Sequence, residues 1–421
     1  MKTSSCSWLT EDQARAIAEA YGTPTYVYSE KKIRENAQNC LSFPNPYGLK
    51  VRFAMKANPS ASVLLLMQRL GLHFDASSIW EVRRALKIGI DPKRISMSTQ
   101  ELPLDFAELV NAGVEINLCS LDQLERYGKA FPGTEVGIRL NPGKGSGLNN
   151  RLSTGGLAAS FGIWHEHIHQ IKRIAEDYDL TVVRIHTHIG TGGDPDLWFD
   201  TATESLKSLD QFPEVKTVDL GGGFKVSRMP DEKASDLQIV GNAVKKVLES
   251  IAERTGRKLA LEIEPGNFLA ATIGGILSLV HDIVNTGSDG YEFIKLDTGM
   301  TEILRPSLYG AQHGFRVFQL TASKQTKPYV IVGHCCESGD VLTVAKGDSE
   351  TLAPRELPEV KKGDLIFVED AGAYCAAMPA KNYNSFPEAA EVMLKVDGSF
   401  ELIRRRQTLD QVIENEIALP W

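Results

Sequence analysis

The chain has no apolar run of membrane-spanning length. The nearest candidate, LEIEPGNFLAATIGGILSLV (261–280), is interrupted by glutamates, a proline and glycines. The first residues, MKTSSCSWLTEDQ, lack the apolar stretch of a signal peptide, so the cytoplasm is the expected compartment. Cysteine is scarce. Six in 421 residues, with no paired C-x-x-C sets, exclude a disulfide framework and argue against structural zinc. An excess of positive charge is also missing. The net charge of −8 gives no general attraction to nucleic acid. The basic run Arg404–Arg406 is short, is followed by Asp410, and reads as a solvated helix face. No short-period repeat or low-complexity segment is present.

What remains is the composition of a globular protein, too long for one ordinary core, so two domains are expected. Short β-branched apolar runs alternate with amphipathic stretches over the first part of the chain. Eight runs read as strands: 51–57, 72–77, 94–99, 114–120, 135–141, 182–189, 217–222 and 259–265. Amphipathic segments such as SIWEVRRALKIG and SLDQLERYGKA lie between them. This predicts a (β/α)8 barrel over about 250 residues, with its chemistry at the C-terminal strand ends. Polar residues fall at those ends: Lys56, Asn58, Asp75, Ser77, Arg139, Asn141, His186, His188, Gly221–Gly223 and Glu264-Pro265-Gly266. After about residue 285 the pattern changes to strands such as FIKLDTG, PYVIVGHC, DVLTVAKG and DLIFVED. The expected division is an N-terminal segment 1–30, a barrel 31–285 and a mainly β domain 286–421. PTYVYS (24–29) is expected to pair either into the barrel or with the β domain.

Lys56 lies in FAMKANP, where an apolar strand would turn its amine into the barrel mouth. A lysine bonds covalently to an aldehyde only after losing a proton, which burial favours. Taken alone, Lys56 reads as a surface lysine. Gly221-Gly222-Gly223 after TVDL would bring three backbone N–H groups close to a phosphate, although a tight turn explains the run as well. Pro265-Gly266-Asn267 offers a second anion site if a helix starts there. The H-x-H of His186 and His188 could suggest a metal, but no carboxylate partner set lies near it in sequence, and none is expected to be bound.

FAMKANP, HTHIG, DLGGGF, EPG, LRPSLYG, CCESGD and GAY occur in that order over nearly the whole chain. Together they resemble the diaminopimelate decarboxylase family of fold-type III pyridoxal-phosphate (PLP) enzymes, relatives of ornithine and arginine decarboxylases and of alanine racemase. The resemblance implies an alanine-racemase-like fold, a barrel with a C-terminal β domain, and a homodimer with shared active sites. It implies that Lys56 holds PLP and that His188 stacks on its ring. Glu264 would pair with the ring nitrogen, keeping it protonated so that the ring draws electrons strongly. Gly221, Gly222, Gly223, Pro265, Gly266, Asn267 and Tyr374 would bind the phosphate. Arg305 and Tyr309 would take the far carboxylate of an amino-acid substrate, with Glu337, Tyr374 and Tyr383 near it. Cys336 would donate the proton that replaces CO2. By spacing alone either Cys335 or Cys336 fits, and alignment to C-E-S selects Cys336.

Three positions depart from the family. Asn267 replaces the usual Arg after E-P-G. Ala159-Ser160 replaces Ser-Lys before Phe161-Gly162-Ile163. Ser385-Phe386-Pro387-Glu388 replaces Arg-Pro-Arg-Pro. Loss of a bidentate carboxylate partner weakens recognition by ~1.5–3 kcal/mol unless another donor substitutes. The resemblance implies decarboxylation of meso-2,6-diaminopimelate to L-lysine as the expected reaction. The alternative is a related decarboxylase acting on another amino acid or on a siderophore or antibiotic precursor. An ornithine-type enzyme would want an acid where Arg305 stands, and a racemase would want a tyrosine base opposite the acid. A PLP carrier would normally lack the β domain, and a metal-dependent hydrolase is the remaining class.

Overall fold

The structure is a computed structural model that describes residues 8–144, 154–188, 190, 199, 203 and 206–421. The first seven residues of the N-terminal segment, and Ile189 at the end of the sixth expected strand, lie outside the described residues. The chain forms two compact units. One comprises Arg34–Val226 with Lys233–Leu269, and the other Met1–Ile33, Ser227–Glu232 and Ala270–Trp421.

In the first unit eight strands pair in parallel, each with its sequence neighbour: Leu49–Ala54, His73–Ala76, Ile95–Ser98, Glu115–Leu118, Glu135–Asn141, Thr181–His186, Thr217–Asp219 and Ala260–Ile263. The eighth pairs with the first, Leu261 opposite Leu49, and closes the barrel. Side chains at alternate positions share the interior face. One interior layer is ionic: Arg52 bonds Glu262 through Nε (2.7 Å) and Nη2 (3.0 Å) and also meets Glu115, which Arg184 reaches at 2.5 Å. Burial works against the Glu262 anion, but Arg52 and Arg184 override it and hold the carboxyl at about 2. The chemistry-bearing residues stand one step further along these strands.

Helices begin soon after the strands because the sequence places caps there. Ser78 accepts the Glu81 N–H to start Ile79–Lys87, and Ser120 accepts the Gln123 N–H to start Leu121–Ala130. Each such cap contributes about 1 kcal/mol. Asp236 caps Leu237–Thr255 through two N–H groups.

The second unit is built around the long strand Gly274–Asn285. Expected from the sequence within the barrel segment, this strand instead pairs antiparallel with Thr25–Ser29, Glu292–Leu296 and Leu365–Val368. Glycine is required at its start, since a Cβ on Gly274 would meet the Tyr28 ring at 2.4 Å and one on Gly275 the Val368 oxygen at 2.4 Å. Thr25–Ser29 pairs with this strand and with Ala390–Leu394, so it joins the β unit and not the barrel sheet. Val27, Leu277, Phe367 and Val392 form a core with Leu9, Ala14 and Ile17 from the helical segment before it. Each fully buried large apolar side chain contributes about 1.5–3 kcal/mol. The basic run is no helix face. Arg404 ends the strand Phe400–Arg404 and lies 3.1 Å from Glu391, while Arg406 Nη2 donates to the Pro24 carbonyl at 2.7 Å. Pairing of that strand with Ala390–Leu394 sets an extended backbone there.

Candidate functional site

The barrel's C-terminal mouth encloses a cavity of about 240 Å³ onto which Lys56, Asp75, Arg139, His186, His188 and Glu264 open. A larger groove, about 790 Å³, runs along the outer helix Leu237–Thr255 but offers no carboxylate, histidine or thiol among the described residues. The first strand stops at Ala54, three residues earlier than expected. Met55–Ala57 forms one 3-10 turn, closed by the Asn58 N–H on the Met55 carbonyl (3.1 Å). Met55 and Ala57 are buried, whereas Lys56 is exposed. The lysine therefore reaches the cavity from a turn and not from the strand itself.

His188 lies just past its strand, and Gly222 N–H donates to its Nδ1 at 3.1 Å. Burial, then the charges of Lys56 and Arg139, hold the imidazole well below its usual pKa, so it is neutral with its proton on Nε2. The glycine run has little room. A Cβ on Gly221 would meet His188 Nδ1 and the Thr187 oxygen at 2.7 Å, and one on Gly222 the Glu264 oxygen at 2.3 Å. Of the three N–H groups expected to face an anion, Gly221's donates to Asp219 Oδ1 (2.9 Å) and Gly222's to His188. Among the described residues only Gly223's donates to no protein group. Gly266 precedes a helix of just four residues, Asn267–Ala270, so the expected helix N-terminus is one turn with little dipole.

Glu264 is buried and lies 3.2 Å from His186 Nε2, and its Oε1 has no hydrogen-bond partner. Burial raises its pKa, opposed by Lys56 and Arg139. Asp75 is raised to about 7 by burial and by Glu264, with Lys56 acting the other way. Arg139 is buried beside the Phe161 ring at 5.1 Å, with an unpartnered Nη2. Asp75 and Arg139 stood out only as polar strand ends; their common cavity required the closed barrel. His186, Asp219 and Glu264 bring their ligand atoms within 4.8 Å of one another. The carboxylates that the H-x-H motif lacked in sequence stand on the next two strands.

The remaining expected residues belong to the β unit. Arg305 begins the short helix Arg305–Tyr309, over the Tyr374 ring at 5.9 Å. It is half-buried, with an unpartnered Nε and no carboxylate in ion-pair range among the described residues, which argues against a surface salt bridge. Tyr374 holds a left-handed backbone (φ 56°), a strain non-glycine residues keep chiefly at functional positions. Cys336 is exposed, its N–H donating to Asn384 Oδ1 at 2.9 Å. Tyr383 donates to Glu337 Oε2 at 3.2 Å. Cys335 is half-buried, and burial with the Asp340 charge pushes its thiol up to about 12. The structure thus gathers Cys336, Glu337 and Tyr383 in one cluster, and Arg305 with Tyr374 in another.

The cavity fits a ring with an aldehyde, a basic nitrogen and an anionic tail. It presents an accessible amine, a flat neutral imidazole and a buried carboxylate with an unused oxygen, and the glycine turn beside His188 carries a spare backbone N–H. A family model described as pyridoxal-dependent decarboxylase, pyridoxal binding domain, matches residues 30–271. The diaminopimelate decarboxylase of Escherichia coli K12 is 32% identical over 97% of both chains. That of Neisseria meningitidis is 34% identical over 96% of this chain and 95% of its own. A crystal structure of diaminopimelate decarboxylase superposes with a TM-score of 0.89 at 32% identity, covering 98% of each chain. The Helicobacter pylori diaminopimelate decarboxylase complexed with L-lysine gives 0.83 at 28% identity, covering 95% of this chain and 98% of its own.

Proposed function

Because the chain belongs to the diaminopimelate decarboxylase family of pyridoxal-dependent decarboxylases, we propose that it converts meso-2,6-diaminopimelate to L-lysine and CO2 with PLP as cofactor. The observation that carries this reading is the convergence of Lys56, His188 and Glu264 on one cavity. Bound PLP supplies an electron sink for the pair released when the carbon–carboxylate bond breaks. Lys56 holds the cofactor covalently. His188, fixed by the Gly222 N–H, presents a neutral face to the ring. Glu264 meets the ring nitrogen as an anion and keeps that nitrogen protonated. Gly221–Gly223 shape the phosphate contact, to which Gly223 gives its N–H, with Pro265, Gly266, Asn267 and Tyr374 also assigned to it.

Arg305 and Tyr309 recognise the far carboxylate, since a guanidinium fork matches its two oxygens. Glu337 and Tyr383 contact the substrate, and Cys336 delivers the proton that replaces CO2. A proton donor of this kind works away from bulk water, yet Cys336 and Glu337 are exposed in the single chain. A homodimer in which a second copy covers them supplies that exclusion. The cytoplasm is the compartment in which we place the enzyme.

Asn267 and Ser160 favour a second reading, a related decarboxylase with another amino-acid substrate. Ser160 is exposed and accepts from Gln100 Nε2 at 3.1 Å, leaving no cation at that position. The test is kcat/KM for meso-diaminopimelate against ornithine, arginine and lysine. The first reading expects diaminopimelate to lead by orders of magnitude; preference for another of these selects the second.

A further inference from the structure

Asp219 Oδ2, Glu264 Oε1 and His186 Nε2 are buried polar atoms without an ordinary hydrogen-bond partner, as are Asp75 Oδ1 and Arg139 Nη2 on the cavity wall. Asp219, Glu264 and His186 form, among the described residues, the one group of three such side chains whose ligand atoms lie within 4.8 Å of one another. His186 and Asp219 are opposite each other on neighbouring strands, and Asp219 is opposite Glu262, two residues before Glu264. Asn117 Nδ2 donates to Ser98 Oγ (3.1 Å), and Ser98 Oγ lies 3.3 Å from His186 Nδ1. Glu264 Oε2, an acceptor only when ionised, lies 3.2 Å from His186 Nε2, which places the imidazole proton on Nε2 and leaves Nδ1 to accept from the Ser98 hydroxyl. On the other side, Asp219 Oδ1 accepts the Gly221 N–H at 2.9 Å, which leaves Oδ2 for Glu264.

Two ionised carboxylates so close in a dry site repel, and each would keep an unsatisfied oxygen. One proton between them removes both costs. The neighbours decide where it resides. Burial raises both carboxyls, Asp219 well above the usual range. Lys56, Arg139 and Arg52 act on Glu264 and favour its anion, whereas Asp219 meets the negative charge of Glu264 and Glu262. His186, held at about 4 by burial, adds no charge at neutral pH.

We propose that Asp219 is a positioning residue that stands as the neutral acid and donates a hydrogen bond to Glu264, so that Asp219 and His186 together fix the Glu264 anion toward the cofactor's ring nitrogen. This rests on the role given to Glu264 above. It places two protons over three sites: one on the ring nitrogen, one on Asp219, none on Glu264.

The test uses the holoenzyme and its variants Asp219→Ala, Asp219→Asn and Glu264→Gln, each checked for fold by circular dichroism. Asparagine keeps an oxygen for the Gly221 N–H and offers an N–H to Glu264, so it reproduces the neutral acid but not an anion. Asp219→Ala is expected to lower kcat about 10–100-fold with KM little changed, the usual cost of removing an outer-shell partner. Asp219→Asn is expected to recover most of that loss. The infrared difference between wild type and Asp219→Asn should show the carbonyl stretch of a neutral carboxylic acid at pH 7. The proposal is overturned if Asp219→Asn is as impaired as Asp219→Ala, if no acid band is lost, or if one metal ion per chain copurifies and is required for turnover. Wild-type turnover by Glu264→Gln would overturn the Glu264 assignment itself, a separate failure because the Asp219 band is read without turnover.

Discussion

Gly222 and His188 are locked together: the glycine N–H donates to His188 Nδ1 at 3.1 Å, and the glycine Cα has the Glu264 backbone behind it. One turn thereby sets the imidazole plane and the path of the strand that carries Glu264. A Cβ at position 222 would stand 2.3 Å from the Glu264 oxygen, so backbone must move. Gly222→Ala should cost about 1–3 kcal/mol of stability, as overpacking does. It should also weaken PLP binding to apoenzyme, measured by fluorescence titration. Wild-type stability and affinity would contradict the lock.

The paired cysteines separate by environment. Cys336 is exposed, whereas the Cys335 thiol is pushed up to about 12 by burial and by Asp340. A raised thiol pKa means less thiolate at pH 8 and slower alkylation. In protein diluted until the subunits separate, iodoacetamide should therefore label Cys336 well before Cys335, as read in mass spectra. Cys336→Ala should keep the cofactor absorbance and lose about 10²–10⁴-fold in kcat, the effect of deleting a positioned acid. If Cys335→Ala is the inactive variant, the C-E-S register is off by one.

The exposed cluster of Cys336, Glu337 and Tyr383 leads to a subunit test. Lys56→Ala and Cys336→Ala should each be inactive. After subunit exchange, a mixed dimer holds one site with both residues intact, so activity should return. No recovery despite exchange, followed by mass-tagged subunits, would mean each chain completes its own site.

The eight barrel strands were legible because β-branched apolar runs recur between amphipathic segments, and each run forms a paired strand. The turn at Lys56 was not legible. Met55 and Ala57 continue the apolar pattern of the strand, while the turn itself is closed by the Asn58-to-Met55 hydrogen bond after Ala54. Arg404–Arg406 misled because charge alone does not distinguish a helix face from a strand end paired to Glu391. The grouping of His186, Asp219 and Glu264 could not be read from spacing, because it arises from the order of neighbouring strands. Arg305 and Tyr374 stood out through their motifs, but the strained Tyr374 backbone has no sequence signal beyond Gly372, two residues earlier.

Substrate choice turns on the far carboxylate. Arg305 is half-buried and holds no carboxylate among the described residues, which leaves its fork for a ligand. With Asn267 in place of a second guanidinium, Arg305 carries most of the recognition. Arg305→Lys should lower kcat/KM for diaminopimelate at least tenfold, since losing a charged hydrogen bond costs about 1.5–3 kcal/mol. Asn267→Arg should leave kcat/KM unchanged or raise it. Insensitivity to Arg305→Lys would remove Arg305 from the substrate site.

The most direct test of the account follows carbon through one reaction. Holoenzyme with meso-diaminopimelate should release CO2 and L-lysine in equal amounts. Apoenzyme should release neither until PLP is added, and borohydride treatment of the holoenzyme should end turnover and leave the cofactor on the Lys56 peptide. An enzyme that binds PLP but forms no lysine from diaminopimelate, while releasing CO2 from a different amino acid, would contradict it.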